Sequence, residues 1–431
     1  MQSWTDGSGR RAARVFARLA VLAGFLLVAF FAHPQAARAD NPYLESRVSS
    51  IPNASLLKSD PSALVDPRRQ QVATSHAAIA RWLSFAGIAL PALALLYLWR
   101  SGNAARLRDA LSRALGNRVA MRFCFGAVVA SVAAVAAFPA SLAAYRVAVS
   151  YQVTRQPPAA WATDTLGTWL LAAVVVGALT AFVYTLVERT RLWYLYAALG
   201  LFAFALAARL VAPGLAAPFF SGGRDVAPGG RAASAVSDLE RKAAAGDVRV
   251  VVDADARSAL ATARIEGFGP NERIVLTQAL VEDATPQEVT FVVARELGHH
   301  AHGDVFRLAL AWALGFVLSV AVAVAVADRI GFRRDDDSIS RLPLVGAIGA
   351  LAVLAVLPLY NAYARRVEFD AVKYAIAIDG DRAGAVRAYV RLADEGLVSL
   401  CPTRFSRWYL LSRPSIGSEI AFVLDRPDPC P

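Results

Sequence analysis

Thr165 to Val187 reads TLGTWLLAAVVVGALTAFVYTLV, and none of its side chains carries a charge. At 1.5 Å per residue, a helix of that length crosses the roughly 30 Å hydrocarbon core of a bilayer. Five further charge-free blocks meet or approach this length: Trp82 to Trp99, Phe123 to Tyr145, Leu192 to Ala208, Leu308 to Ala327 and Leu342 to Ala364. Pro91, Pro139 and Pro358 interrupt three of them, which neighbours in a helix bundle accommodate. Over 431 residues, 56% hydrophobic against 18% charged side chains excludes both an ordinary soluble enzyme and a disordered chain. The expected fold class is mainly α: a polytopic membrane protein of six to seven membrane helices with a small extramembrane α+β catalytic-type domain.

A seventh apolar run, Leu19 to Ala32, follows Arg10, Arg11, Arg14 and Arg18 and leads into Ala37-Arg38-Ala39. Residues 1–39 are therefore read as a signal peptide or a first membrane helix. The remaining divisions are an external polar segment 40–81, membrane helices 82–212, an external α+β domain 213–305, the last two membrane helices 306–364 and a tail 365–431.

The net charge of +11 rests almost wholly on arginine, since only Lys58, Lys242 and Lys373 are lysines. Arg100, Arg106, Arg108, Arg113, Arg118 and Arg122 crowd one inter-block loop with Asp109 as its single acid, and positive loops stay in the cytoplasm. That orientation puts the 213–305 domain and the tail outside, which points to a bacterial inner membrane with the catalytic-type domain on its periplasmic or external face. The arginines flank membrane helices and are not interleaved with aromatics, so the expected partner is the lipid bilayer and no nucleic acid. The absence of ionisable residues from the six main blocks argues against a transporter or channel. Of three cysteines, Cys124 sits in a membrane block, whereas Cys401 and Cys430 can form a disulfide if the tail is external.

Within 213–305, Val248 to Asp253 and Arg273 to Leu276 are strand-like, with Gly267 to Asn271 as a turn between them. Thr285-Pro286-Gln287-Glu288 then supplies an N-cap, a proline at the first helical position and the Glu of a capping box, predicting a helix over 286–303. It carries Val292-Val293-Ala294-Arg295-Glu296-Leu297-Gly298-His299-His300-Ala301-His302-Gly303-Asp304. This is the zincin-like pattern H-E-x-x-H with Arg295 in place of the first His. In the intact pattern two His one turn apart bind zinc and the Glu takes a proton from the metal-bound water.

Downstream come Arg365-Arg366-Val367-Glu368-Phe369-Asp370-Ala371-Val372 and Ser412-Arg413-Pro414; upstream lie Trp161, Asp164, Pro213 and Ala217-Pro218-Phe219-Phe220. On these residues the sequence resembles the CAAX prenyl protease family of integral-membrane zinc metalloendopeptidases, of gluzincin type, over nearly its whole length. The resemblance implies zinc as cofactor, a polypeptide substrate or client, Glu296 as general base, His299 as second zinc His and Glu368 as ligand Glu. Three family positions are replaced, making this a degenerate member: Arg295 for the first zinc His, Val372 for an Asp that holds a ligand, and Arg413 for a His that assists the reacting carbonyl. No His follows position 302 to restore them.

Two readings follow. In the first the chain is a pseudoprotease, with Arg295 placing a permanent cation between Glu296 and Glu368. In the alternative it is an active metalloendopeptidase with a variant zinc site of His299, His302 and Glu368, since position 302 falls about 20° from the helix face of position 295.

Overall fold

The computed structural model describes residues 50–220, 224–225, 239, 248–253, 260–330 and 338–430. The run Leu19 to Ala32, with the signal-peptide reading of 1–39, and most of the Gly- and Pro-containing stretch 221–247 lie outside the described residues.

Helices α1 (Asn53–Lys58) and α2 (Pro61–Leu64) lead to α3 (Pro67–Arg100), then α4 (Asn103–Ala114), α5 (Arg118–Ser150), α6 (Pro158–Arg189) and α7 (Trp193–Phe220). After the strands come α8 (Gln278–Asp283), α9 (Pro286–Ala301), α10 (Asp304–Ile330), α11 (Leu342–Asp379), α12 (Arg382–Glu395) and α13 (Ile416–Val423). Six helices among the described residues, α3, α5, α6, α7, α10 and α11, are long and apolar enough to cross a membrane. Their outward positions are apolar, with Leu93, Leu170, Leu199 and Leu359 exposed, as expected where the solvent is lipid.

Local chemistry sets where the spans begin. The Asp66 carboxylate accepts hydrogen bonds from the backbone N–H groups of Arg68 and Arg69, and Pro67 occupies the first turn, so α3 starts well before its charge-free block. The 40–81 stretch thus carries α1, α2 and the head of α3, fastened to the tail by Arg69, which donates to the Asp394 carbonyl at 3.0 Å. Asn117 caps α5 in the same way. Where α5 crosses α6, a Cβ on Gly126 would overlap the Thr180 side chain, so the bare glycine permits close packing without a hydrophobic drive between the helices.

Four short strands, β1 (Arg224–Asp225), β2 (Arg249–Val252), β3 (Ala263–Glu266) and β4 (Arg273–Leu276), form a sheet in the order β1-β2-β4-β3. β2 and β4 run parallel; β3 pairs antiparallel to β4 across the Gly267 turn. The two predicted strands are present. β3 was not anticipated, because Ala-Arg-Ile-Glu has little β-branched content and is recruited by its hairpin partner. Ile274 and Leu276 are fully buried in one core with Leu280, Val292 and Leu297, so the sheet supports α9 from one side.

The capping box predicted at Thr285 forms in full, and α9 ends at Ala301 with His302 as its C-cap. Glu288 has a second duty: its carboxylate receives Arg391 from α12 at 2.8 and 3.2 Å, both side chains being buried. The start of α9 is thereby tied to the tail.

Three hydrogen bonds fasten the π-helical turn Ser406–Leu410 to α11. Asn361 donates to the Tyr409 carbonyl at 2.8 Å, Arg365 to the Leu411 carbonyl at 2.6 Å, and the Tyr409 hydroxyl to the Leu354 carbonyl at 2.6 Å. Leu354 lies four residues before Pro358, which has no N–H to offer it. Farther along, Cys401 and Cys430 form a disulfide with a Cα–Cα distance of 5.2 Å, packed against Gly417. Closing a loop with a sequence separation of 29 is worth about 3.5 kcal/mol by chain entropy. Alkylation of the unfolded protein is expected to find one thiol, Cys124, before reduction and all three cysteines after it. Three reactive thiols without reductant would show that the bridge does not form.

Candidate functional site

The site is built where α9 crosses α11. A Cβ on Gly298 would come within 3.0 Å of the Ala371 carbonyl, so only glycine lets the helices meet this closely. The close crossing places Arg295, Glu296 and His299 of α9 against Glu368 of α11, with all four side chains buried.

The Arg295 guanidinium lies between the two glutamates. It donates to Glu296 Oε1 from Nη2 at 2.7 Å and from Nε at 3.3 Å, and its Nε lies 3.5 Å from Glu368 Oε1. Burial opposes its charge, but Glu296 and Glu368 outweigh burial and hold its pKa well above the ordinary arginine value. His299 continues the chain of charges: Nδ1 is 3.0 Å from Asp304 Oδ2, and Nε2 is 3.5 Å from Glu368 Oε2. Burial lowers the affinity of His299 for a proton, yet its bonds to Asp304 and Glu368 and their neighbours' charge raise the imidazole to about 9. It is therefore a cation at neutral pH. Arg413, partly exposed, approaches Glu368 Oε2 at 3.7 Å.

The other sequence-selected residues fall elsewhere. His302 turns its ring edge-on to Tyr374, centroids 5.7 Å apart, at the exposed end of α9. His300 meets Glu272 at 2.9 Å. Val372 is wholly buried among apolar side chains one turn beyond Glu368. Trp161, in the first turn of α6, stacks on Tyr145 near the end of α5, and Asp164 accepts from Gln156. Pro213 and Ala217-Pro218-Phe219-Phe220 lie in the last turns of α7, whose side chains are outside the described residues.

Three residues were missed as site members. Asp304 lay within the quoted motif without a role; it orients His299 and receives Arg307 at 2.8 Å. Tyr389 of α12 and Glu419 of α13 close the cluster, and the charges of Arg295 and Glu368 bear on both. Glu419 had one signal: it is the only charged residue in the helix Ile416–Val423. Glu368 Oε1, Glu419 Oε1 and the Tyr389 hydroxyl are buried without a hydrogen-bond partner among the described residues.

Burial pushes the Glu419 carboxyl up to about 8; the Glu368 charge adds to this, while Arg295 and Arg413 oppose it. A carboxyl neutral in the fold but ionised when unfolded stabilises fully below its ordinary value of 4.5. That contribution is lost as pH rises from there to about 8. Glu419→Gln should therefore match the parent in thermal unfolding at about pH 5 and outlast it at about pH 9. Parallel pH profiles for the two proteins would refute the assignment.

His299 Nε2 and Glu368 Oε2 keep the 3.5 Å separation of neighbouring ligands on one tetrahedral zinc, for which bonds near 2.0 Å give about 3.3 Å. Beside Glu368 stands the Arg295 guanidinium, which cannot coordinate. Among the described residues no group of three His, Cys, Asp or Glu side chains is placed to hold a metal ion. The residues present therefore do not fit zinc. What they form is a buried ionic lattice of Arg295, Glu296, His299, Glu368 and Asp304.

Two family models match the chain. The CAAX prenyl protease N-terminal model, described as five membrane helices, matches residues 68–222, and the model of peptidase family M48 matches residues 230–423. The uncharacterized metalloprotease YhfN of Bacillus subtilis (strain 168) is 25% identical over 389 residues, 86% of this chain and 89% of that protein. Protease HtpX homolog 1 of Streptomyces coelicolor is 26% identical over 190 residues, 42% of this chain and 61% of its own length. The crystal structure of S. mikatae Ste24p superposes with a TM-score of 0.69 at 18% identity, covering 88% of this chain and 94% of that one; this likeness concerns the fold.

Proposed function

Because the chain belongs to the CAAX prenyl protease family, its membrane helices followed by a peptidase family M48 portion, we propose that it is a pseudoprotease: a membrane-embedded relative of zinc metalloendopeptidases in which an arginine has taken the metal's place. The observation that carries this reading is the Arg295 guanidinium between Glu296 and Glu368. In such a site Glu296 is engaged by a cation where the family's base would face a water. The retained role is binding of a polypeptide client at the α9–α11 crossing.

The rival reading, an active enzyme using His299, His302 and Glu368, draws support from helix periodicity alone, and the packing of His302 on Tyr374 speaks for the first. The test is proteolysis of an unfolded polypeptide such as casein by the purified full-length protein. No cleavage above an Arg295→Ala control is expected, and zinc-dependent cleavage would sink the pseudoprotease reading.

We further infer a bacterial inner-membrane location with the site on the external side. An external tail suits the Cys401–Cys430 disulfide, and the arginine-rich ends of α3 to α6 suit the cytoplasm. The same orientation accords with the signal-peptide reading of residues 1–39. A reporter fused after Pro431 that requires an oxidising compartment is expected to be active, and activity of a cytoplasm-only reporter there would reverse the orientation.

A further inference from the structure

At the end of the bundle opposite the site, α4, the start of α5, the end of α6 and the 3₁₀ turn Ser338–Arg341 enclose a cavity of about 420 Å³. We propose that it binds the phosphate headgroup of an anionic phospholipid.

Depth is the first argument. The charge-free part of α5 begins at Phe123 and that of α6 ends at Val187, so the Arg118, Arg122 and Glu188 side chains lining the cavity lie within about one turn of the hydrocarbon boundary. Lipid phosphates occupy that level. Charge is the second. Arg122, buried, is ion-paired with Glu188 and donates to the Thr185 hydroxyl at 3.0 Å. Arg118 lies 3.8 Å from the same Glu188 oxygen with its side chain 81% exposed, and the Arg189 charge also bears on that carboxylate. Two guanidinium groups thus pair with one carboxylate, and a third follows it directly in the sequence, leaving a surplus for a phosphodiester, whose oxygens suit the guanidinium fork.

Shape is the third. α4 lies across the helix ends as an interfacial element, turning Leu107 and Leu111 toward the core of Leu98, Phe125 and Val129 and leaving Arg106 and Arg113 exposed. The cavity wall also carries Met121 and Ile339, an apolar lining suited to the glycerol end of a lipid rather than to a fully hydrated ion.

A free phosphate presents the same anion, so the test separates the two sources. The full-length protein in neutral detergent is titrated with phosphatidylglycerol, phosphatidylcholine or inorganic phosphate, and retained ligands are counted by native mass spectrometry. Phosphatidylglycerol is expected to be retained and phosphatidylcholine not. Arg118→Gln should weaken retention roughly fivefold, the effect of removing one arginine from a lipid surface. Glu188→Gln, which removes the competing anion, should strengthen it, a gain that misfolding cannot imitate. Arg155→Gln, at the other end of the bundle, should change nothing. Inorganic phosphate that binds equally and displaces the lipid would overturn the proposal in favour of a free-anion site. Phosphatidylglycerol retention indifferent to both Arg118→Gln and Glu188→Gln would overturn it in favour of unspecific annular lipid.

Discussion

Purified in mild detergent, the Arg295→His variant is expected to retain about one equivalent of zinc, whereas the parent retains far less than that. The introduced imidazole would complete a three-ligand set with His299 and Glu368, on a crossing whose two surviving donors already stand 3.5 Å apart. Zinc should then raise the thermal stability of the variant as a ligand that binds only the folded state, and leave the parent unmoved. Metal analysis and a thermal scan with and without chelator read both effects. Stoichiometric zinc in the parent would defeat the idea that the guanidinium replaces the ion. Recovery of proteolysis is a separate matter, because on the proposed reading Arg413 and Val372 still stand where the resemblance implies an assisting His and a ligand-holding Asp.

The second large effect is on stability. Arg295→Met keeps most of the side-chain volume but removes the cation, leaving the Glu296 and Glu368 carboxylates buried in a site balanced for it. Breaking one partner out of a buried ion pair costs about 3–5 kcal/mol, mostly the penalty of the charge left behind. Arg295→Met should therefore be among the most destabilising substitutions in the chain. Arg295→Met combined with Glu296→Leu should recover much of the loss, since an apolar pair of similar volume has no stranded charge. Unfolding of the parent, the single variants and the double variant in one detergent completes the cycle. A single variant as stable as the parent would mean that the lattice is not what holds α9 against α11.

The membrane architecture was legible because charge-free runs such as Thr165–Val187 leave few alternatives, and the start of α9 was legible because a capping box is local chemistry. Arg295 could be expected beside Glu296 from the motif, but its place next to Glu368, on another helix, was suggested only by the family resemblance. Glu419 could not be placed in the same cluster: it reaches Arg295 through a fold-back of more than a hundred residues that no periodicity encodes. β3 failed for a related reason, its strand character coming from its neighbour. Helical spacing brings His302 close to the face of Arg295; it is the C-cap of α9, and its ring packs edge-on with Tyr374 of α11.

Tyr409 bears on how the chain is made. Pro358 strips a hydrogen bond from the middle of α11, and the carbonyl so orphaned, on Leu354, receives a hydroxyl from a residue synthesised 55 positions after it. When α11 enters the membrane, that acceptor has no mate within its own helix, and an unsatisfied carbonyl in hydrocarbon is costly. The span is completed only once the ribosome has delivered the π-helical turn and it has docked. The tail is in this sense part of the span: a turn that follows the last membrane helix in the chain supplies the donor that the helix itself lacks.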